Sequence, residues 1–204
     1  MGVRVYSRPR ESALSGLIAF AYQLASRLAY VLYIGLVLAR HEQRAALTGA
    51  HGGEAAFRRF RRAAAFFMYN DALSLVVLCW LTRDTLALAL PRLLVIGAGA
   101  ILVLVGVGTK LWARATVGAG AYYWRDFFFP VDRPVVTSGP YAFLRNPMYT
   151  VGYLQTYGVA LVTASLPGLI AAAIDQAGIL AFYWLVERPH VERVHKGGAV
   201  PVAR

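Results

Sequence analysis

Three short polar stretches interrupt a largely apolar chain and carry the side chains most able to do chemistry. Ser138-Gly139-Pro140-Tyr141 stands just before Arg145-Asn146-Pro147-Met148-Tyr149, and Glu187-Arg188-Pro189 follows after about 40 apolar-rich positions. Arg145 offers a planar fork of donors that suits a carboxylate or a phosphate. Pro147 holds Asn146 in extended backbone and is able to open a helix at its first position. Backbone N–H groups left free at such a helix start would bind an anion. The same residues also fit a simpler role, a capped helix start with aromatic anchors at a membrane interface.

The elements that must position these residues are membrane helices. A spanning helix needs about 20 mostly apolar residues, and the sequence predicts five, at about 12–39, 63–81, 91–113, 148–165 and 168–186. The last two form a helical hairpin, because Leu166-Pro167-Gly168 punctuates a run too long for one span. A hairpin brings its ends together, so Arg145–Tyr149 and Glu187 should lie close in space. The expected fold is therefore an all-α integral membrane bundle, a single membrane domain over 1–204 with N-terminal spans in 1–104 and a chemistry-bearing half in 105–204. Gln23 and Arg27 share one face of the first span, where they either meet other helices or wall a polar cavity. Asn70 and Asp71 fall in the second span, and Asp175 in the last, where it should face protein or water.

Composition agrees. The 204 residues are 58% hydrophobic and 15% charged, with a mean hydropathy of +0.52, whereas a soluble domain is nearer a quarter charged. The formal charge of +11 raises a nucleic-acid partner, but the basic residues lie between long apolar runs, which fits anionic lipid head groups instead. Cys79 is the single cysteine, so no intramolecular disulfide forms, and His41, His51, His190 and His195 show no zinc spacing with it. No metal site is expected. The basic N-terminus precedes an apolar stretch too long for a cleaved signal peptide.

Charge asymmetry orients the bundle. Fifteen Lys and Arg fall in the 40–62 connection, the 110–147 connection and the tail, against five at Arg4, Arg8, Arg10, Arg83 and Arg92. The positive-inside rule places the former side, with the polar motifs and the C-terminus, in the cytoplasm. The preference for Arg over Lys suggests a bacterial cytoplasmic membrane; in a eukaryote the endoplasmic reticulum would be expected. The sequence leaves the oligomeric state open.

Val136-Thr137-Ser138-Gly139-Pro140-Tyr141, Arg145-Asn146-Pro147-Met148-Tyr149, the apolar hairpin and Glu187-Arg188-Pro189, in that order, resemble the integral membrane methyltransferases. That superfamily includes phosphatidylethanolamine N-methyltransferases and isoprenylcysteine carboxyl methyltransferases, and the resemblance covers about 105–196. Asn-Pro-Met-Tyr, the turn Ala164-Ser165-Leu166-Pro167-Gly168-Leu169 and the short tail lean to the phospholipid branch, while Gly-Pro-Tyr pulls toward the other. The resemblance implies S-adenosylmethionine as cofactor and a membrane lipid as substrate, the amine of a phosphatidylethanolamine-type phospholipid. It implies catalytic roles for Arg145, Glu187 and Tyr141, and a cofactor pocket of Asn146, Pro147, Met148, Tyr149 and Glu187. The family's glycine motif fits Gly106-Val107-Gly108, and Gly97-Ala98-Gly99 also fits; small residues so spaced otherwise serve close helix packing. The second acidic position of the family is Arg188 here, a charge reversal. A phospholipid ammonium must lose a proton before it attacks, and Asp126, Asp132 and His190 are equal candidates to take it. The alternatives are isoprenylcysteine carboxyl methylation, a non-catalytic membrane relative, and a reductase of the steroid-reductase type using NADPH.

Overall fold

The exposed surface of the bundle is apolar and its most deeply buried side chains include charged ones. Leu17, Leu73, Leu93, Leu104 and Leu185 face outward, while Gln23, Arg27, Asp71 and Asp175 are buried. That inversion is stable only where hydrocarbon replaces water around the outside. The computed structural model describes residues 9–48, 53–129 and 136–197. Asp132, His51 and the last seven residues lie outside them, as does the side chain of His195.

Among the described residues six α-helices follow in order: α1 (Pro9–Thr48), α2 (Gly53–Leu81), α3 (Arg92–Ala121), α4 (Leu154–Val162), α5 (Leu166–Phe182) and α6 (Arg188–Gly197). Among the described residues there is no strand. Among the described residues four segments are long and apolar enough to cross a membrane, Ala13–Arg44, Gly53–Leu81, Arg92–Gly118 and Leu166–Val194. The span expected at 148–165 is a shorter apolar helix, Val151–Val162, about 18 Å long at 1.5 Å per residue and shorter than a bilayer core of about 30 Å. The residues before it, which carry the Gly-Pro-Tyr and Asn-Pro-Met-Tyr motifs, form turns rather than a further length of helix. Such irregular backbone is tolerated at membrane depth only beside protein, and α4 packs against α3 and α5.

Small residues make the α3–α4 seam. A Cβ placed on Gly99 would stand 2.8 Å from the Gly158 carbonyl, and one on Gly106 would collide with the backbone nitrogen of Gln155. At the far end of the hairpin, Ser165 caps α5 by accepting from the Gly168 N–H at 2.9 Å. The connection between α2 and α3 is tied to that turn, with Asp84 N–H donating to the Thr163 carbonyl at 3.0 Å and Leu86 N–H to Ala164 at 2.8 Å. Cys79 packs there against Gly168, where any Cβ would lie 2.5 Å from its sulfur.

The helices alternate in direction. The start of α1 meets Thr82, and its end reaches α6 through Glu42 and His190. The connections expected to carry the basic residues therefore gather at one end, with Glu187. Most of the charges expected in the first two connections sit within helices instead: Arg40 and Arg44 in α1, Arg58, Arg59, Arg61 and Arg62 in α2, and Lys110 and Arg114 in α3.

Candidate active site at the Glu187 end

Glu187 closes a π-helical turn, Tyr183–Glu187, between α5 and α6. The extra residue in such a turn shifts the register of the side chains that follow, and π-turns of this kind are frequent at functional sites. Two neutral donors converge on one carboxylate oxygen. Trp124 Nε1 donates to Glu187 Oε2 at 3.0 Å and the Tyr149 hydroxyl donates to the same atom at 2.7 Å. Glu187 Oε1 receives no hydrogen bond from any described residue. Charged acceptors make the stronger hydrogen bonds, and here neutral donors leave the negative charge uncancelled.

The Asn-Pro-Met-Tyr segment explains how Tyr149 is aimed. Asn146 Oδ1 accepts from the Tyr149 N–H at 3.3 Å, and the Asn146 carbonyl accepts from Thr150 N–H at 3.2 Å and its hydroxyl at 2.7 Å. Pro147 is fully buried and its carbonyl accepts from Gly152 N–H at 2.8 Å. Gln176 of α5 anchors the segment from the other side, donating to the Tyr149 carbonyl at 3.1 Å. Backbone and side chain are both spoken for, so the phenol has one direction to point.

Tyr141 is half-buried beside this group. Burial, and then the charge of Glu187, push its phenol up to about 12, so it stays a proton-bearing donor at any physiological pH. Its turn is set by Gly139, whose φ of +58° is a left-handed conformation and whose missing side chain admits Thr116 and Trp112 of α3. Arg145 is exposed and has no ion-pair or hydrogen-bond partner among the described residues. Gly106 and Gly108 do not join the cluster. Gly106 is buried in the α3–α4 seam, and Gly108 is exposed with nothing within 4 Å of an added Cβ. Arg188 turns away from Glu187, pairing with Glu192 at 2.7 Å and lying 4.3 Å over the Trp184 ring.

Of the proton-acceptor candidates, His190 and Asp126 face each other at 3.5 Å, and His190 Nδ1 lies 2.9 Å from Glu42. Phe127 stacks on the imidazole at a centroid distance of 3.7 Å. Trp124 escaped sequence reasoning because it is one aromatic in a loop full of them. Its only distinction is a left-handed backbone, φ +52°, which sequence does not announce.

Tyr149 and Trp124 also line a cavity of about 300 Å³ bounded by α2, α3 and the charged side chains Arg27, Asp71, Lys110 and Asp175. Arg27 bridges both carboxylates there, Nη2 to Asp71 at 2.5 Å and Nε to Asp175 at 3.0 Å. Gln23 adds a hydrogen bond to each, at 3.3 and 2.8 Å, and its own carbonyl accepts from Ser74. The Tyr153 hydroxyl accepts from Arg27 at 3.1 Å. The face of α1 that carries Gln23 and Arg27 is thus both a helix contact and a cavity wall.

Comparison with known proteins bears on what this end of the bundle does. The model of the phospholipid methyltransferase family matches residues 94–197, half of the chain and all of the motif-bearing segment. The chain belongs to the phospholipid methyltransferase family. It is similar to the phosphatidylethanolamine N-methyltransferase of Talaromyces marneffei, 41% identical over 98 residues, which is 48% of this chain and 10% of that protein. It is also similar to the enzyme of that name from Neosartorya fischeri, 40% identical over 98 residues, 48% of this chain and 10% of that one. A third, from Schizosaccharomyces japonicus, is 35% identical over 118 residues, 58% of this chain and 13% of that protein. The matches thus cover about a tenth of the length of these relatives. No solved structure matches the chain. The phospholipid methyltransferase match includes Tyr141, Tyr149 and Glu187, and leaves out Gln23, Arg27 and Asp71 of the buried charged group.

Proposed function

We propose that this chain is an S-adenosylmethionine-dependent methyltransferase whose acceptor is the amine of a phosphatidylethanolamine-type phospholipid. The observation that carries the reading is the Glu187 carboxylate, held on one oxygen by Trp124 and Tyr149 within a segment that matches the phospholipid methyltransferase family. The names of the relatives support the acceptor.

The donor set fits the cofactor. No described residue donates to Glu187 Oε1, and an amino group or ribose hydroxyl would supply a donor. A carboxylate whose partners are neutral also favours a cationic ligand. Glu187, with Asn146, Pro147, Met148 and Tyr149, would hold S-adenosylmethionine, which when bound supplies an electrophilic methyl group on a sulfonium. The protein's own share is position and dryness: the Trp124 and Tyr149 rings wall the site from the cavity and keep water out. Tyr141 remains a phenol and donates to whatever acceptor lies beside Glu187. Arg145, exposed and without a partner among the described residues, is placed to meet a carboxylate or a lipid phosphate. His190 and Asp126, 3.5 Å apart, are the described candidates to take the proton. Gly106 packs in the α3–α4 contact, and Gly108 faces open space. The basic asymmetry of the connections supports a cytoplasmic Glu187 end, and the buried contacts between α1, α2 and α5 support one working domain.

A labelled-methyl transfer assay on membranes containing the chain, followed by lipid extraction, tests the proposal. Label should appear in mono-, di- or trimethylated phosphatidylethanolamine. Label in a base-labile methyl ester of a prenylated cysteine would replace the acceptor. A folded chain that neither binds S-adenosylmethionine nor transfers methyl groups would overturn the reading.

A further inference from the structure

The cavity behind Trp124 and Tyr149 opens sideways. α2 and α3 scarcely approach each other, and the residues on the two sides of the gap, Tyr69 and Ala72 on α2 and Val107 and Leu111 on α3, both line the cavity and are exposed. Their neighbours on the outer surface are apolar, with Phe66 and Leu73 on one helix and Leu104 on the other exposed. The mouth therefore faces hydrocarbon rather than water. On the Glu187 side it is closed by Tyr122, whose hydroxyl donates to Met68 sulfur at 3.6 Å.

The interior is charged in a specific way. Arg27 is shared by two carboxylates, so one negative charge is left over. Lys110 supplies the balancing positive charge from the α3 wall but forms no ion pair among the described residues. Its ammonium rests 4.6 Å over the Tyr153 ring. The Arg27–Asp175 contact is ionic without hydrogen-bond alignment, since neither Arg27 Nε nor Asp175 Oδ1 has a hydrogen bond. Ionisable groups within a membrane bundle are costly unless they serve a ligand or pathway. A carboxylate surplus and a lysine lining one cavity offer the complement of both charges of a zwitterion.

We propose that this cavity is the docking site of the aminophospholipid headgroup, which enters from the membrane between α2 and α3. The Asp71 side of the carboxylate cluster receives the ammonium and Lys110 the phosphate, while the acyl chains remain in the lipid. At about 300 Å³ the cavity lies at the small end of ligand pockets, roughly 300–1,000 Å³, which suits a headgroup and not a whole lipid. Trp124 and Tyr149 separate the cavity from Glu187 by a single layer of side chains, so the docked amine reaches the methyl carbon only when one of these rings moves aside, since reacting atoms must come within about 3–3.5 Å. The inference rests on the methyltransferase reading for its purpose, and on the charges and the gap for its place.

The test is lipid titration of the full chain in detergent by native mass spectrometry, with S-adenosylmethionine affinity measured in parallel by calorimetry. Dioleoyl-phosphatidylethanolamine should bind more tightly than the phosphatidylglycerol lipid, which lacks the amine, and that more tightly than diacylglycerol, which lacks both charges. Lys110→Gln should weaken phosphatidylethanolamine binding about tenfold, the usual loss for one charged partner. Ala72→Phe, an exposed position at the mouth, should block binding by filling the gap. Both variants should leave S-adenosylmethionine affinity within about twofold. If both bind the lipid as the wild type does while cofactor binding persists, the headgroup docks elsewhere and this proposal fails alone. If water-soluble glycerophosphoethanolamine binds as tightly as the lipid, entry from the membrane is wrong. A wild-type chain that binds no S-adenosylmethionine brings down the methyltransferase reading instead, whatever the lipid result.

Discussion

Two carboxylate sites lie a few side chains apart and are held by opposite means. Asp71 and Asp175 sit in the bundle interior, bound to Arg27 and Gln23. Glu187 sits at the end of the bundle, bound to an indole and a phenol. In the first site one arginine answers two carboxylates, joining α1, α2 and α5 and leaving one negative charge over. In the second, dipoles fix the carboxylate without cancelling it. A charge that is cancelled serves the fold, because removing its partner leaves a buried ion. A charge that is only oriented is free to act on something else.

The comparison breaks most visibly at Asp175, which is fully buried. Asp175→Ala leaves Gln23 only its longer bond to Asp71 and takes from Arg27 one of its two carboxylates. Breaking a buried ion pair from one side typically costs about 3–5 kcal/mol. Chemical unfolding in detergent should show a loss of that order. A loss under about 1 kcal/mol would mean that water already satisfies Arg27.

Glu187→Gln should divide the two sites by their readouts. It removes the charge but keeps the shape and an acceptor for Trp124 and Tyr149. Stability should hardly change. S-adenosylmethionine binding should weaken by about 1.5–3 kcal/mol, roughly ten- to a hundredfold. Calorimetry and a melting curve on the same preparation decide between them. An unfolding effect as large as that of Asp175→Ala, with unchanged cofactor affinity, would make Glu187 structural.

Tyr149→Phe should act less strongly and in the same direction. It deletes one of two hydrogen bonds to the carboxylate, at a cost of about 1–2 kcal/mol in cofactor affinity, or roughly five- to thirtyfold. The Trp124 bond persists, so the carboxylate is loosened rather than lost. Trp124→Phe, measured alongside, should match it. If either substitution is silent, the two donors do not set the carboxylate's position.

The fold was largely legible because hydrocarbon imposes a coarse rule, long apolar runs with basic residues gathered on one side. The exception is α4. Its apolar composition was visible, but its shortness follows from turns over 136–150 that satisfy themselves locally through Asn146 and Pro147. In the site, the closeness of Tyr149 and Glu187 followed from the hairpin alone. The partner Trp124 did not, because contacts across 63 residues of chain leave no local pattern. Gly106 looked like a binding motif and lies in a helix seam, since small residues at regular spacing look alike in both roles. The charged residues Arg27, Asp71 and Asp175 were each conspicuous, but nothing in their separate spans specified that one arginine would serve two acids.

Arg188→Glu should have the smallest effect and is the sharpest test of the contrast between oriented and cancelled charge. The resemblance to the integral membrane methyltransferases implies an acidic residue at this position, so the reversal looks like a lost cofactor ligand. The geometry argues otherwise. The π-turn ends at Glu187 and α6 starts at Arg188, so the two neighbours point in different directions. Arg188 is held by Glu192, one helical turn on, and by the face of Trp184. An exposed pair of this kind is worth about 0.3–0.5 kcal/mol, so substituting glutamate should lower stability only slightly. The introduced carboxylate would stand one turn from Glu192, a mild like-charge repulsion on the α6 surface. Cofactor affinity should stay within about twofold of wild type, because the changed charge is turned away from the Trp124–Tyr149 wall. A clear tightening on Arg188→Glu would show that the position still reaches the cofactor, and that Glu187 works with a second acid which this chain has given up.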